Sequence, residues 1–150
     1  MPDTPALSFH GLGEADIELA LSLAAAENTA DADSESFGID GIVSPPPGEG
    51  WGLWMAGVLA GAAWLRRAPG AEAAEVTALV LARGWRRLGL AAWMLGELAR
   101  AAAGDGCREV VADIRAGGAG LAAVLSEAGF AGPDPGESGM ISGKWSRKCL

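Results

Sequence analysis

Leu79-Val80-Leu81-Ala82-Arg83-Gly84-Trp85-Arg86-Arg87-Leu88-Gly89-Leu90-Ala91 is the stretch on which the fold of this chain turns. It is entered from Glu75–Ala82 (EVTALVLA), an apolar run of strand length with β-branched residues, which predicts a buried strand. It leads into a helix predicted from about Leu88 to Ala103. Between the two lies a basic turn containing glycine. The first N–H groups of a helix have no partner inside it and point outward at the positive end of its dipole. A strand that hands over to a helix in this way is therefore prepared for an anion. Gly89 and Ala91 carry little or no side chain, so a pyrophosphate can approach the backbone, and Arg86 and Arg87 add positive charge. On charge alone, the same residues read equally well as a basic helix start lying on a surface or a membrane face. The absence of GxxxxGK[ST] speaks against a nucleotide P-loop.

Working outward, Arg108–Ile114 predicts a strand, Gly117-Gly118 a break, and Ala119–Ala128 a helix. Leu121, Val124, Leu125 and Ala128 fall on one face of that helix, and Gly129 follows as a C-terminal cap would. Phe130 is expected to open another strand, GPDPGESG to turn, and Met140–Arg147 to form the last strand. On the other side, Trp51–Ala56 and Val58–Arg66 read as two strands joined tightly at Gly57, with a turn over Ala68–Ala74. Further back lie a breaker at Ser44–Gly50, a polar run at residues 29–40 (loop or second short helix), a helix over Gly13–Asn28 and a short strand at Ala6–His10. Strands alternating with helices after residue 51 call for a sheet with helices packed on its faces.

The 150 residues are the size of one domain, 1–150, and half of them are apolar, enough for a proper core. Net charge is −8, but residues 1–50 carry ten carboxylates and no Lys or Arg, whereas all eleven cations lie in 51–150. Phosphate-tracking surfaces need clustered cations, so nucleic acid is not expected as a partner. Trp51–Leu65 is uncharged and ends at Arg66-Arg67, like an anchored span, but its fifteen residues fall short of the roughly 20 that a spanning helix needs. No membrane helix is expected. Cys107 and Cys149 match no metal or CxxC spacing, and the start lacks a cationic leader, so free thiols in a cytoplasmic protein are expected.

Arg86-Arg87-Leu88-Gly89-Leu90-Ala91 fits the [Arg/Gln]-x-x-Gly-x-[Gly/Ala] signature of the GNAT acetyltransferases, and the chain resembles that family over residues 51–130. Leu79 and Leu81 stand where the family places the apolar residues of its fourth strand, and Trp85 stands at its usual aromatic position. Leu125-Ser-Glu-Ala-Gly-Phe130 looks like the family's helix ending in Gly-Phe, and Gly57 with Gly61 resembles its preceding hairpin. The resemblance implies an α/β (α+β) fold: one domain with a mixed central sheet of six to seven strands and helices on both faces. It implies an acyl-CoA cofactor, usually acetyl-CoA, with its pyrophosphate on the N–H groups of Arg87–Ala91. The pantetheine arm would lie along Leu79, Val80 and Leu81 as an added strand. The fourth strand would splay from Arg108–Ile114, and an N–H near Leu81 would stabilise the oxyanion.

The reaction implied is N-acyl transfer to a primary amine by direct attack within a ternary complex, and the resemblance also admits a homodimer. Where the family often has an Asn that contacts pantetheine, this chain has Gly118; where it often has an acidic Tyr, it has Leu125, and no tyrosine exists anywhere. Ser126 is adjacent but points elsewhere on a helix. An alkyl amine is mostly protonated at neutral pH, so a base is needed. Glu75 and Glu72 precede the fourth strand, where some members carry such a Glu; each also reads as an exposed strand-end carboxylate. His10 reads better as a loop residue and Cys107 as packing, while Trp51, Trp54 and Trp64 read as core or acceptor-pocket lining. The acidic first third suggests a cationic acceptor. The rival expectations are a GNAT-fold protein that holds acyl-CoA without catalysis, and a peripheral membrane protein using Arg83–Arg100 as a basic amphipathic helix.

Overall fold

The uncharged run Trp51–Leu65 is not a span. In a computed structural model of the chain it forms the facing strands β2 (Glu49–Met55) and β3 (Val58–Arg67), paired antiparallel. The turn between them is Ala56-Gly57, with φ of 52° and 82°. Two successive positive φ values make the two-residue hairpin turn whose twist matches the strands it joins. Among the described residues, no helix is long and apolar enough to cross a membrane. Described are residues 7–26, 34–39, 46–67, 72–133 and 140–149.

Six strands form one sheet in sequence order, completed by β1 (Leu7–Gly11), β4 (Ala73–Leu81), β5 (Glu109–Gly117) and β6 (Ile141–Lys148). All neighbours are antiparallel except β4 and β5, which are parallel. A parallel pair needs a crossover, and α2 (Leu90–Gly104) supplies it. Helix α1 (Glu14–Ala26) buries Ala20 and Ala24 with Ala62, Trp64, Ala78 and Val80 on one face of the sheet. The stripe Ala91, Met94, Leu95, Leu98, Ala99 and Ala102 of α2 packs on the other face, together with Leu121 and Leu125 of α3 (Ala119–Glu127). The mixed sheet with helices on both faces is therefore as the resemblance implied.

Two expectations are corrected. Phe130 opens no strand: one bridge, Ala131 to Ser146, stands in its place, and a Cβ at Gly132 would run into the Trp145 ring. The stretch Arg83–Arg100 is not one amphipathic helix. Arg83–Trp85 is a short 3-10 turn, α2 starts at Leu90, and the apolar stripe of α2 is buried against the sheet. Residues 68–71, most of the expected turn at 68–74, lie outside the described residues.

Candidate active site

Strands β4 and β5 pair only at Ala73–Glu109, Ala74–Val110 and Glu75–Val111. Beyond Glu75 they part, so the edge of β4 that faces away from β3 opens along Val76–Leu81. This is the splay that the resemblance called for. Where β4 ends, Ala82 leads through the 3-10 turn to Arg86, and Arg87 and Gly89 both adopt positive φ, 65° and 77°. Gly89 is the N-cap of α2 and gives no side-chain cap. Alternating left-handed residues of this kind turn successive N–H groups toward one point and form an anion-binding concavity.

The groove is filled by the chain itself. Phe37 lies antiparallel to β4: its N–H donates to the Leu79 carbonyl and the Leu79 N–H donates to the Phe37 carbonyl, both at 2.9 Å. The Leu81 N–H donates to Ser36 Oγ at 3.0 Å. The Arg87 N–H donates to Glu35 Oε2 at 2.7 Å. The expectation of free amides over Arg87–Ala91 is thus corrected at Arg87, and the β4 N–H groups of Leu79 and Leu81 also have protein acceptors. The turn does hold an anion, and that anion is the Glu35 carboxylate. Glu35 is 4% exposed and Ser34 and Ser36 are 2% exposed, so a polar segment is buried where its partners are backbone amides.

A cavity of about 530 Å³ opens beside this contact. Arg87, Leu88 and Gly89 line it on one side, and Ala119, Gly120 and Val124 of α3 on the other, with the carboxylates of Glu35 and Glu127 at its wall. Gly118 is the N-cap of α3, buried and next to that lining. Of the residues expected to hold the cofactor, Arg87, Leu88 and Gly89 line this cavity, Leu79 and Leu81 lie on the β4 edge that the Phe37 segment covers, and Gly118 adjoins the α3 lining. Val80 turns its side chain to the α1 face, while Leu79 and Leu81 turn theirs to the α2 face. Arg86, Leu90 and Ala91 belong to the same turn but not to the cavity wall, and the Ala91 side chain is in the core.

Glu75 and Glu72 are not brought to the groove mouth. Glu75 precedes Leu81 by six residues, about 20 Å of strand, and its carboxylate is paired with Arg66. Glu72 lies just before β4, exposed, with its carbonyl accepting from the Arg108 N–H at 2.6 Å. His10 stacks on Trp54 at 4.3 Å on strands β1 and β2, away from β4. Trp64 is core, Trp51 stacks on Phe9, and Leu125, where the resemblance places an acid, is fully buried. Neither Cys107 nor Cys149 is in a disulfide; burial raises the Cys149 thiol above its ordinary pKa, helped by neighbouring Cys107 and Glu109. Sequence reasoning missed Glu35, Ser36 and Phe37, which lie in the polar run, and Glu127, which lies on the exposed side of α3. The only signal for the first group was the Phe37/Ile39 alternation.

Residues 17–130 match the model of the acetyltransferase (GNAT) family. The chain belongs to this family. Its fold superposes on N-acetylglutamate synthase from Neisseria gonorrhoeae, complexed with coenzyme A and N-acetyl-glutamate, at a TM-score of 0.65 and 17% identity. That match covers 97% of this chain and 35% of the other, so this GNAT chain spans about a third of that protein. The ribosomal-protein-S18-alanine N-acetyltransferase from Escherichia coli gives 0.68 at 15% identity, over 96% and 94% of the two chains. An aminoglycoside acetyltransferase in complex with coenzyme A and kanamycin gives 0.62 at 13% identity, over 95% of each chain. Likeness at these identities shows the GNAT fold. No curated protein matches the chain by sequence.

Proposed function

We propose that this GNAT chain moves an acyl group, acetyl in the first instance, from CoA to a primary amine by direct attack in a ternary complex. The observation that carries the reading is the pairing of a splayed β4 edge with an anion-holding turn six residues beyond it. The donor set fits an acyl-CoA. Leu79 and Leu81 present backbone groups to the gap, and the turn at Arg86–Ala91 accepts an oxyanion at Arg87. CoA, when bound, would supply a thioester whose carbonyl an amine can attack. In this reading the β4 amides polarise that carbonyl and hold the acyl arm straight. The backbone N–H groups of Arg87–Ala91 hold the phosphates, with Arg86 and Arg87 adding charge. Gly118 leaves room beside the arm but makes no side-chain contact. In this reading water between the splayed strands accepts the proton, because Glu75, paired with Arg66, and Glu72, just before β4, stand away from the groove mouth.

The acceptor proposed is a cationic amine, such as a polyamine, a lysine side chain or a protein N-terminus. The support is the charge of the first 50 residues, ten carboxylates and no cation. The cytoplasm, where both thiols stay reduced, is the proposed site of action. The test is calorimetry with CoA followed by thiol release from acetyl-CoA across an amine panel. Binding with release on cationic amines supports the reading; turnover only on neutral or anionic amines removes the acceptor class.

Three observations favour a second reading, a GNAT-fold protein that holds acyl-CoA without turning it over. Leu125 is fully buried in the core, no side chain stands at Gly118, and the sequence has no tyrosine to protonate a departing thiolate. CoA binding with no thiol release from any amine would establish it.

A further inference from the structure

We infer that Ser34–Ile39 is a built-in competitor for the cofactor groove, and that acyl-CoA binds only when this segment leaves β4. The inference rests on the donor-site reading above. The segment offers the same chemistry as the cofactor: a peptide unit on the Leu79 edge, an oxygen on the Leu81 N–H, and a carboxylate on the Arg87 N–H. Each of these N–H groups is a single donor, and each contact is short enough to be fully formed. Two occupants therefore exclude one another along the β4 edge. The fit is also specific to the segment. Gly38 has φ of 74°, and a Cβ there would press on the Thr77 carbonyl and come within 3.0 Å of Ala78 Cα. Only glycine lets this backbone lie so close to β4. Phe37 anchors the segment in the core, and Glu35 is buried at 4% exposure with its charge on the turn.

A cofactor that must first displace an occupant binds with an apparent constant raised by the inverse of the open fraction. Removing one contact of the occupant should therefore tighten cofactor binding. A hydrogen bond to a charged group is worth enough that Glu35→Ala should bind CoA about tenfold more tightly than the unaltered chain. The decisive measurement uses the full-length chain with CoA itself as the probe. Amide exchange by NMR should show the Phe37 N–H exchanging at least about tenfold faster at saturating CoA. The Leu79 N–H, which changes partner, should stay protected. The exchange result needs no variant, so it stands even if Glu35→Ala does not fold. CoA that saturates the chain while Phe37 keeps its protection, with Glu35→Ala binding no more tightly, would overturn the inference and leave the donor site intact. CoA that binds neither the unaltered chain nor Glu35→Ala would overturn both.

Discussion

Phe37 and Leu79 exchange both of their backbone hydrogen bonds at 2.9 Å across 42 positions of sequence, and among the described residues 34–39 no other forms a backbone bridge with β4. One bridge is a weak clasp in water, so the phenyl ring must hold it. Phe37 is 4% exposed and shares the core with Leu79 and Leu81. Truncating a buried phenylalanine removes its transfer energy and leaves a cavity. Phe37→Ala is expected to cost about 3 kcal/mol. In a domain of this size that lowers Tm by roughly 10 °C. Chemical denaturation checks it; a loss under about 1 kcal/mol would mean that the ring is not seated.

Gly89 separates backbone strain from charge. Its φ is 77°, and the nearest atom to an added Cβ is Glu127 Oε1 at 3.7 Å, an ordinary contact. Gly89→Ala therefore meets no clash, only the left-handed penalty of about 1 kcal/mol. Gly89→Asp bears that penalty and also sets a second carboxylate against the turn. The expected outcome is that Gly89→Ala weakens CoA binding severalfold and Gly89→Asp by at least about a hundredfold, both read by calorimetry. Arg86→Ala should fall between the unaltered chain and Gly89→Asp, since backbone groups carry much of the anion contact. Equal affinity for the Ala and Asp variants would show that no phosphate meets Gly89.

The strand, turn and helix around Arg86–Ala91 were legible because their periods differ: alternating and continuous apolar residues up to Leu81, then a 3.6-residue stripe from Ala91. The hairpin at Gly57 was legible because glycine marks a positive φ. Residues 34–39 were not legible. Their place is set by one long-range bridge and by two side chains, Glu35 and Ser36, that bond backbone amides rather than a matching sequence motif. Polar residues in a polar run read as solvent-exposed, yet here they are buried because β4 leaves an open edge. Glu127 was invisible for a related reason: its helix face is set by Leu121 and Leu125, and the cavity it borders exists only once the Arg87–Gly89 turn, Glu35 and α3 are placed. The strand expected at Phe130 failed because Gly132 brings the chain against Trp145, leaving room for one bridge.

Ala56 offers a gain in stability away from the site. It is exposed, with φ of 52°, in the first central position of the hairpin turn before Gly57. Asn tolerates this conformation better than Ala, and Asn-Gly is the preferred pair for such turns. Ala56→Asn is expected to stabilise the chain by about 0.5 kcal/mol, a rise of a degree or two in Tm, with CoA affinity unchanged. A lower Tm would show that the turn is of another type.

Glu127 borders the same cavity as Arg87 and Gly89, so a negative charge stands beside the turn proposed to hold phosphates. Glu35 would leave with its segment, but Glu127 is fixed on α3 and stays. At its distance from Gly89, a like charge in a solvated setting opposes an anion modestly. Glu127→Gln is therefore expected to bind CoA roughly threefold more tightly at low salt. The gain should shrink as salt rises, because charges on an exposed wall are screened within about 10 Å at 0.1 M. Calorimetry at two ionic strengths reads both effects, and Glu97→Gln, on α2 outside this cavity, is the control for net charge. An equal gain from both substitutions would trace the effect to overall charge and would place the phosphates elsewhere than beside Gly89.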